Sequence, residues 1–221
     1  FIKPVCDDMG FSRGGMGVNM TIIAACQNKQ VPDTWNVGDS CMMAFGKKNY
    51  QIDIIGKNHD DYADGSGKAP LTFQMHTCYA TEYKMNNSGS NTGGWADCLL
   101  RTTGGFKIIK SKMPAEVVAA LKAVTKKTTA GGASSAIDTT EDTLFLLSEI
   151  EVQGTRTHSY AGEGTQYAYY QTAANRKKNR AWYLRSPRTN STTCFCRTGW
   201  SGEADWSVAS EVDGITAAWC F

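Results

Sequence analysis

Trp182-Tyr183-Leu184-Arg185-Ser186-Pro187 is the stretch on which the prediction of the fold depends. Its aromatic and apolar residues predict a strand, which ends at Pro187 because proline cannot donate to a sheet. Residues 188–212, called the recognition segment below, are polar with aromatic residues set among them. A strand followed by such a segment indicates a packed scaffold that holds the ends of a surface loop.

The recognition segment combines tryptophan, phenylalanine and arginine with small polar residues, a mixture typical of binding surfaces. Its candidate ligand-binding residues are Arg188, Thr189, Asn190, Thr192, Thr193, Phe195, Arg197, Trp200, Glu203, Asp205, Trp206, Ser207, Ser210, Glu211 and Val212. The alternative is an ordinary loop whose tryptophans turn inward to cover the core, because tryptophan is highly buried on average.

The rest of the chain predicts short strands and few helices. Residues 50–55 and 71–75 alternate as strands, residues 144–147 predict a buried strand that continues toward Val152, and residues 215–221 predict a terminal strand. One helix is predicted from Pro114 to about Lys127, because proline suits its first position and lysines crowd its end. Loops are expected at residues 84–94, 128–140 and 154–164, and residues 20–26 fit a strand or a helix.

These elements indicate an α+β domain over residues 35–221, with residues 1–34 packed on it or leading into it. The net charge is +2, which gives no global argument for nucleic acid, and no apolar run approaches the roughly 20 residues that span a bilayer. The basic run 176–180 is interpreted as a solvated loop. The 8 cysteines are interpreted as mostly buried thiols, with a disulfide framework as the alternative.

Motifs of catalysis and cofactor binding are absent from the sequence. It contains no H-E-x-x-H, P-loop or G-x-S-x-G pattern, and no cofactor is expected. Asp60, Asp61 and Asp64 resemble half of a calcium loop, but Leu71 occupies the twelfth position, so a calcium site is a weak candidate beside simple turn formation. Glu149 and Glu151 are expected on one face of a solvated strand.

Several short patterns occur in a distinctive order. They are Trp35-Asn36-Val37-Gly38-Asp39, Leu71-Thr72-Phe73, Gly94-Trp95, Leu146-Leu147-Ser148-Glu149, Trp182-Tyr183-Leu184-Arg185-Ser186-Pro187, Gly214-Ile215 and Cys220-Phe221. In that order they resemble an uncharacterised domain family common in phages and prophages of Gram-positive gut bacteria. The resemblance extends from about Trp35 to the end of the chain.

The final part is also similar to the variable proteins of diversity-generating retroelements. Those proteins have a C-type-lectin fold, and their last segment, after a W-[WY]-L-R-S-P type sequence, is diversified to bind host or partner molecules. The resemblance implies a C-type-lectin-like fold and diversified positions between Arg188 and Val212. Such segments are often rich in asparagine, whereas this one retains only Asn190. The implied scaffold residues are Trp35, Gly38, Asp39, Trp182, Leu184, Arg185, Ser186, Pro187 and Gly214.

The resemblance implies a non-enzymatic adhesion domain of a phage or prophage, located on a tail fibre, on a capsid or on a bacterial cell surface. The expected partners are a host protein or glycan and further subunits, including copies of this chain. A structural module that uses the recognition segment for subunit contacts is the first alternative. The same fold also hosts formylglycine-generating oxidases with a reactive cysteine pair, so an oxidase-like enzyme using Cys194 and Cys196 is the second.

Overall fold

The structure is a computed structural model, and it describes residues 16–221. Its helices are α1 (Met16–Gln27), α2 (Gly94–Asp97), α3 (Leu99–Thr102), α4 (Gly105–Lys112), α5 (Ala115–Ala120) and α6 (Glu149–Gln153), with 3-10 turns at Ala168–Gln171 and Ala173–Arg176. Its strands are β1 (Ser40–Phe45), β2 (Lys48–Lys57), β3 (Leu71–Met75), β4 (Val124–Gly131), β5 (Ser134–Asp142), β6 (Trp182–Pro187), β7 (Cys194–Thr198), β8 (Ala204–Val208) and β9 (Ala218–Cys220). Over this range, no helix has the length and apolarity needed to cross a membrane.

The strands form three antiparallel sheets, which confirms the α+β prediction. The largest has the order β1-β2-β3-β9, the smallest is the β4-β5 hairpin, and the third has the order β6-β7-β8. Strand β9 lies at the end of the chain, yet it pairs with β3 in a register that places Thr72 opposite Cys220. The last residues therefore complete the central sheet and tie the two halves of the sequence together.

Strands with clear apolar patterns are predicted well. Strand β2 includes the predicted residues 50–55, while β3 and β6 match the predicted ranges 71–75 and 182–187. All side chains of β3 and β6 are buried, including the polar side chains of Thr72, Gln74, Arg185 and Ser186. The terminal strand is shorter than the predicted range 215–221, because only Ala218–Cys220 pairs as a strand.

The helix predicted from Pro114 to Lys127 is wrong beyond Ala120. Helix α5 ends there, and Val124 begins β4. Residues 128–140 are not a loop but the rest of the β4-β5 hairpin, whose turn residues Gly132 and Ala133 have φ of 60° and 63° and follow Gly131 with φ 69°. Paired glycines with positive φ between β-branched residues are a hairpin pattern, and this local preference prevails over the helical spacing of the apolar residues.

The strand predicted to run from residue 144 toward Val152 is also wrong. Residues 144–147 are buried but form no strand, although Phe145 makes an isolated bridge to Ala218. Helix α6 follows, and its capping box has the Ser148 side chain accepting from the Glu151 N–H while the Glu151 carboxylate accepts from the Ser148 N–H. Serine followed three residues later by glutamate is the sequence pattern of this cap.

A single hydrophobic core includes the N-terminal helix. Residues 20–26 lie within α1, whose Ile22 and Ile23 pack into the same core as the central sheet. Lys178 is also buried and donates to the Met75 and His76 carbonyls, so the basic run 176–180 is not fully solvated as predicted. Residues 1–15, including Cys6, lie outside the described residues. The other cysteines, Cys26, Cys41, Cys78, Cys98, Cys194, Cys196 and Cys220, are buried as predicted.

Candidate functional site

The recognition segment forms the hairpin of β7 and β8 with its flanking loops. Cys196 lies opposite Trp206 in the register, and Arg197 lies opposite Asp205. The tip is closed by hydrogen bonds from the Gly199 N–H to the Glu203 carbonyl (2.9 Å) and from the Gly202 N–H to the Gly199 carbonyl (3.1 Å). The tip therefore has a defined backbone that holds Trp200 in place.

The segment divides into outward and inward side chains. Trp200 is 67% exposed and Trp206 is 38% exposed, so the alternative in which they cover the core is wrong. Phe195 and Ser207, which pair across β7 and β8, are buried, which removes them from the predicted surface. The exposed candidates are Asn190, Thr192, Thr193, Trp200, Glu203, Trp206, Glu211 and Val212, and the half-buried ones are Arg188, Thr189, Arg197, Asp205 and Ser210.

The two arginines of the segment differ in their partners. The Arg188 guanidinium carbon lies 4.1 Å from the centroid of the Trp206 ring, which is a stacked cation–π contact. Arg197 instead binds the Asp205 and Asp213 carboxylates at 2.7 and 3.0 Å. Arg197 thus connects the hairpin to the residues that follow it, while the half-buried Arg188 pairs with the exposed Trp206.

Asn91 fixes the loop before β7, a role that the sequence did not indicate. It lies in the predicted loop 84–94 and is fully buried. Its side-chain amide donates to the Ser191 and Cys194 carbonyls at 3.0 and 2.7 Å, and its side-chain oxygen accepts from the Gly132 N–H at 2.8 Å. Asn91 therefore joins the recognition segment to the turn of the β4-β5 hairpin.

The predicted scaffold residues lie before β1, in β6 and after β8. Trp182, Leu184, Arg185, Ser186 and Pro187 are all buried in β6. Trp35 is buried, and the turn after it is closed by Asp39, whose carboxylate accepts from the Asn36 N–H, and by Gly38, which has φ 97°. At Gly214 a β-carbon would lie 2.6 Å from the Cys78 sulfur and 2.7 Å from the Ala181 carbonyl, so a side chain does not fit there.

Four charged side chains and one tyrosine form a cluster in the interior, called the buried network: Asp60, Lys126, Glu151, Tyr167 and Arg185. Arg185 makes a bidentate pair with the Glu151 carboxylate at 2.5 and 2.9 Å. The Lys126 ammonium binds the Asp60 carboxylate, the Glu151 carboxylate at 3.2 Å and the Tyr167 hydroxyl at 2.9 Å. Two acids and two bases thus neutralise each other, which is how buried charges are stabilised.

A cleft of about 470 Å³ opens beside the buried network. His59 stacks on the Tyr167 ring with centroids 3.8 Å apart, and burial lowers the pKa of His59. The predicted calcium residues also meet this region, but Asp60 binds Lys126, Asp61 binds Lys68 and Asp64 binds Lys122. Their carboxylates point to three different lysines, and no metal-binding group of three or more acidic, histidine or cysteine residues occurs within residues 16–221.

Two further buried glutamates hold loops to the scaffold. The Glu149 carboxylate accepts from the N–H groups of Thr157, His158 and Ser159 at 2.7–3.1 Å. Glu163 accepts from Thr129 and Ser186, and burial raises its pKa. The predicted solvated strand with Glu149 and Glu151 is therefore wrong: both carboxylates are interior anchors, placed there by the capping box of α6.

The cysteine pair of the oxidase alternative lies on one face of β7. Cys194 and Cys196 are both buried. Burial raises the pKa of the Cys196 thiol well above its usual range, so this sulfur is held in its protonated form. A protonated thiol is a poor nucleophile.

Asp60 is expected to make stability depend on acid pH. Burial opposes its ionisation, but the Lys126 charge and hydrogen bonds from Lys126 and Thr72 lower the pKa of Asp60 to about 2. A pKa lowered on folding adds stability above the unfolded pKa near 4, and about 2 kcal/mol of it is lost as pH falls from 4 to 2. Urea unfolding across this range should show a smaller decline for Asp60→Asn. The exposed neighbour variant Asp61→Asn should decline as the parent does, and identical slopes in all three would contradict the assignment.

Comparisons with known proteins identify one family. No curated protein and no solved structure matches the chain. The family DUF6273, described as a domain of unknown function, matches residues 69–220, from two residues before β3 to the end of β9. The matched range is more than half of the 221 residues and contains the recognition segment, and the chain therefore belongs to the DUF6273 family.

Proposed function

We propose that this protein is a non-enzymatic ligand-binding domain whose recognition segment is the binding surface. The observation that carries the proposal is the exposure of Trp200 and Trp206 on a hairpin with a defined backbone. Large exposed aromatic side chains beside an arginine are typical anchors of binding surfaces. Rigid presentation supports the same role, because little conformational entropy is lost when a partner binds.

The proposal includes a C-type-lectin-like fold and a place on a virion or on a bacterial cell surface. The order of short sequence patterns supports both, and the completion of the central sheet by the last strand is compatible with the fold. In this proposal the partner is a host surface protein or glycan, and further copies in the assembly add avidity to weak single contacts. Residues of β6 stay constant while outward residues between Arg188 and Val212 vary.

Trp200→Ala and Trp206→Ala are each expected to weaken ligand binding by about tenfold or more, with unfolding free energy changed by roughly 0.5 kcal/mol or less. The full chain would be screened on a glycan array and against a phage-displayed decapeptide library, and the variants retested on whatever the parent binds. Ile108→Ala is the control, because this exposed apolar side chain lies on α4. A large loss of stability, or unchanged binding in both variants, would contradict the proposal.

Diversification of the segment can be tested separately. Deep sequencing of the 3′ end of the gene in a growing population should show substitutions at outward positions such as Thr192, Trp200 and Trp206. The buried positions Phe195 and Ser207 should remain constant with β6, because they pack inward. A recognition segment as invariant as β6 would remove the diversification from the proposal and leave a fixed ligand.

A further inference from the structure

Strand β8 is an open edge of its sheet. The order β6-β7-β8 leaves β8 with a neighbour on one side. At the two ends of the β7-β8 ladder, Ala209 donates to Thr193 and Gly199 donates to Glu203. Because hydrogen-bonded pairs recur every second residue, Asp205 and Ser207 bond to β7, while Ala204 and Trp206 direct their backbone groups away from it.

These outward backbone groups have no partner within residues 16–221. Neither the N–H nor the carbonyl of Ala204 or Trp206 is bonded to another described residue. The open stretch ends at Val208, whose carbonyl accepts from the Tyr183 hydroxyl at 2.7 Å and from the Glu211 N–H at 2.9 Å. An edge with unpaired N–H and carbonyl groups is a template for another strand.

The Arg188 guanidinium is the second unsatisfied group at this edge. It stacks on Trp206, but no carboxylate of the described residues pairs with it, in contrast to the doubly paired Arg197. A guanidinium has five N–H donors whose geometry matches a carboxylate. Among residues 16–221 the guanidinium has no hydrogen-bond acceptor, so its N–H groups are available to a ligand.

We infer that the edge of β8 binds an extended polypeptide as an added fourth strand, and that Arg188 on Trp206 recognises an acidic side chain in it. The inference rests on the proposed function and names the chemistry of the ligand. A glycan stacked on Trp206 would pair with Arg188 but would leave the alternating backbone groups of Ala204 and Trp206 unpaired. A peptide strand satisfies both, because its main chain gives affinity and its alternate side chains give specificity.

The test begins with decapeptides selected from the phage-displayed library on the full chain. The selected peptides should be rich in β-branched residues and carry Asp or Glu at one shared position. Synthetic versions methylated at one backbone nitrogen each would then be titrated. Methylation should weaken binding about tenfold or more at every second residue and leave the alternate residues unaffected. Tolerance of methylation at every position would overturn strand addition.

Arg188→Glu tests the acidic residue by exchange of charge. The affinity of this variant for the acidic peptide should fall about tenfold or more. Its affinity for the same peptide with Lys in place of the acidic residue should rise. Lys107→Glu is the matched control, because Lys107 is exposed on α4, the charge changes by the same amount, and both affinities should stay unchanged. A library that yields no peptide, with glycans bound through Trp206 instead, would overturn this inference while keeping the proposed function. Unchanged binding of every ligand in both Trp200→Ala and Trp206→Ala would overturn both.

Discussion

Glu151→Gln is expected to lower the free energy of unfolding by about 3–5 kcal/mol, the cost of removing one partner from a buried ion pair. Glu151 alone contacts both cations of the buried network, at 2.5 and 2.9 Å from Arg185 and 3.2 Å from Lys126. Without its charge, Asp60 remains as the single acid for two buried cations. The new amide nitrogen would also face groups that only donate.

Urea unfolding at neutral pH measures this effect. Glu141→Gln is the matched control, since Glu141 is exposed on β5 and its substitution should change stability by roughly 0.5 kcal/mol or less. A loss below about 1 kcal/mol for Glu151→Gln would show that the network tolerates an unbalanced charge. Water entering through the adjacent cleft would then be compensating.

Asn91→Ala is expected to cost about 2–4 kcal/mol and to loosen the recognition segment. The change removes the partner of the Gly132 N–H and of the Ser191 carbonyl, both partly buried, and leaves the Cys194 carbonyl with the Arg188 N–H alone. An orphaned buried polar group costs about 1–3 kcal/mol, and neighbouring losses do not add fully. Because two of the three groups belong to the recognition segment, the damage reaches the proposed binding surface.

Two measurements separate stability from local order in Asn91→Ala. Chemical unfolding gives the loss of global stability. Hydrogen exchange should show that, relative to the parent, backbone amides in residues 189–194 are accelerated more than those in β3. Asn87→Ala is the control, because Asn87 is exposed in the same loop. Unchanged exchange in residues 189–194 would mean that the hairpin holds its own loop without Asn91.

A chain of hydrogen bonds connects the buried network to the recognition segment. Arg185 lies in β6, where it pairs with Glu151 and donates to the Leu146 carbonyl. The neighbouring Ser186 hydroxyl accepts from the Glu149 N–H, and the Glu149 carboxylate orders residues 157–159. The His158 carbonyl in turn accepts from Thr189 in the recognition segment. Interior charges thereby position the surface loops that lead into the recognition segment.

Local sequence patterns were sufficient to predict the strands that are buried in the core. The aromatic and apolar run 182–187 predicted β6, and the residues at 50–55 and 71–75 predicted β2 and β3. The mixed composition of residues 188–212 predicted an outward surface, and Trp200 and Trp206 are exposed. Phe195 and Ser207 were misassigned because their pairing across β7 and β8 was not predicted, and both side chains are buried there.

The sequence by itself determined the α+β class, the main strands and the place of the recognition segment, because periodicity and β-branching act over neighbouring residues. The tertiary structure alone decided that Lys126 is a buried strand residue and that Glu151 lies in the first turn of a buried helix. It also decided that Asn91 holds loops about 100 residues away in the chain. From sequence, charged and amide side chains are predicted to face solvent, because burial requires a hydrogen-bond or ion-pair partner. Here those partners are distant in sequence and could not be predicted.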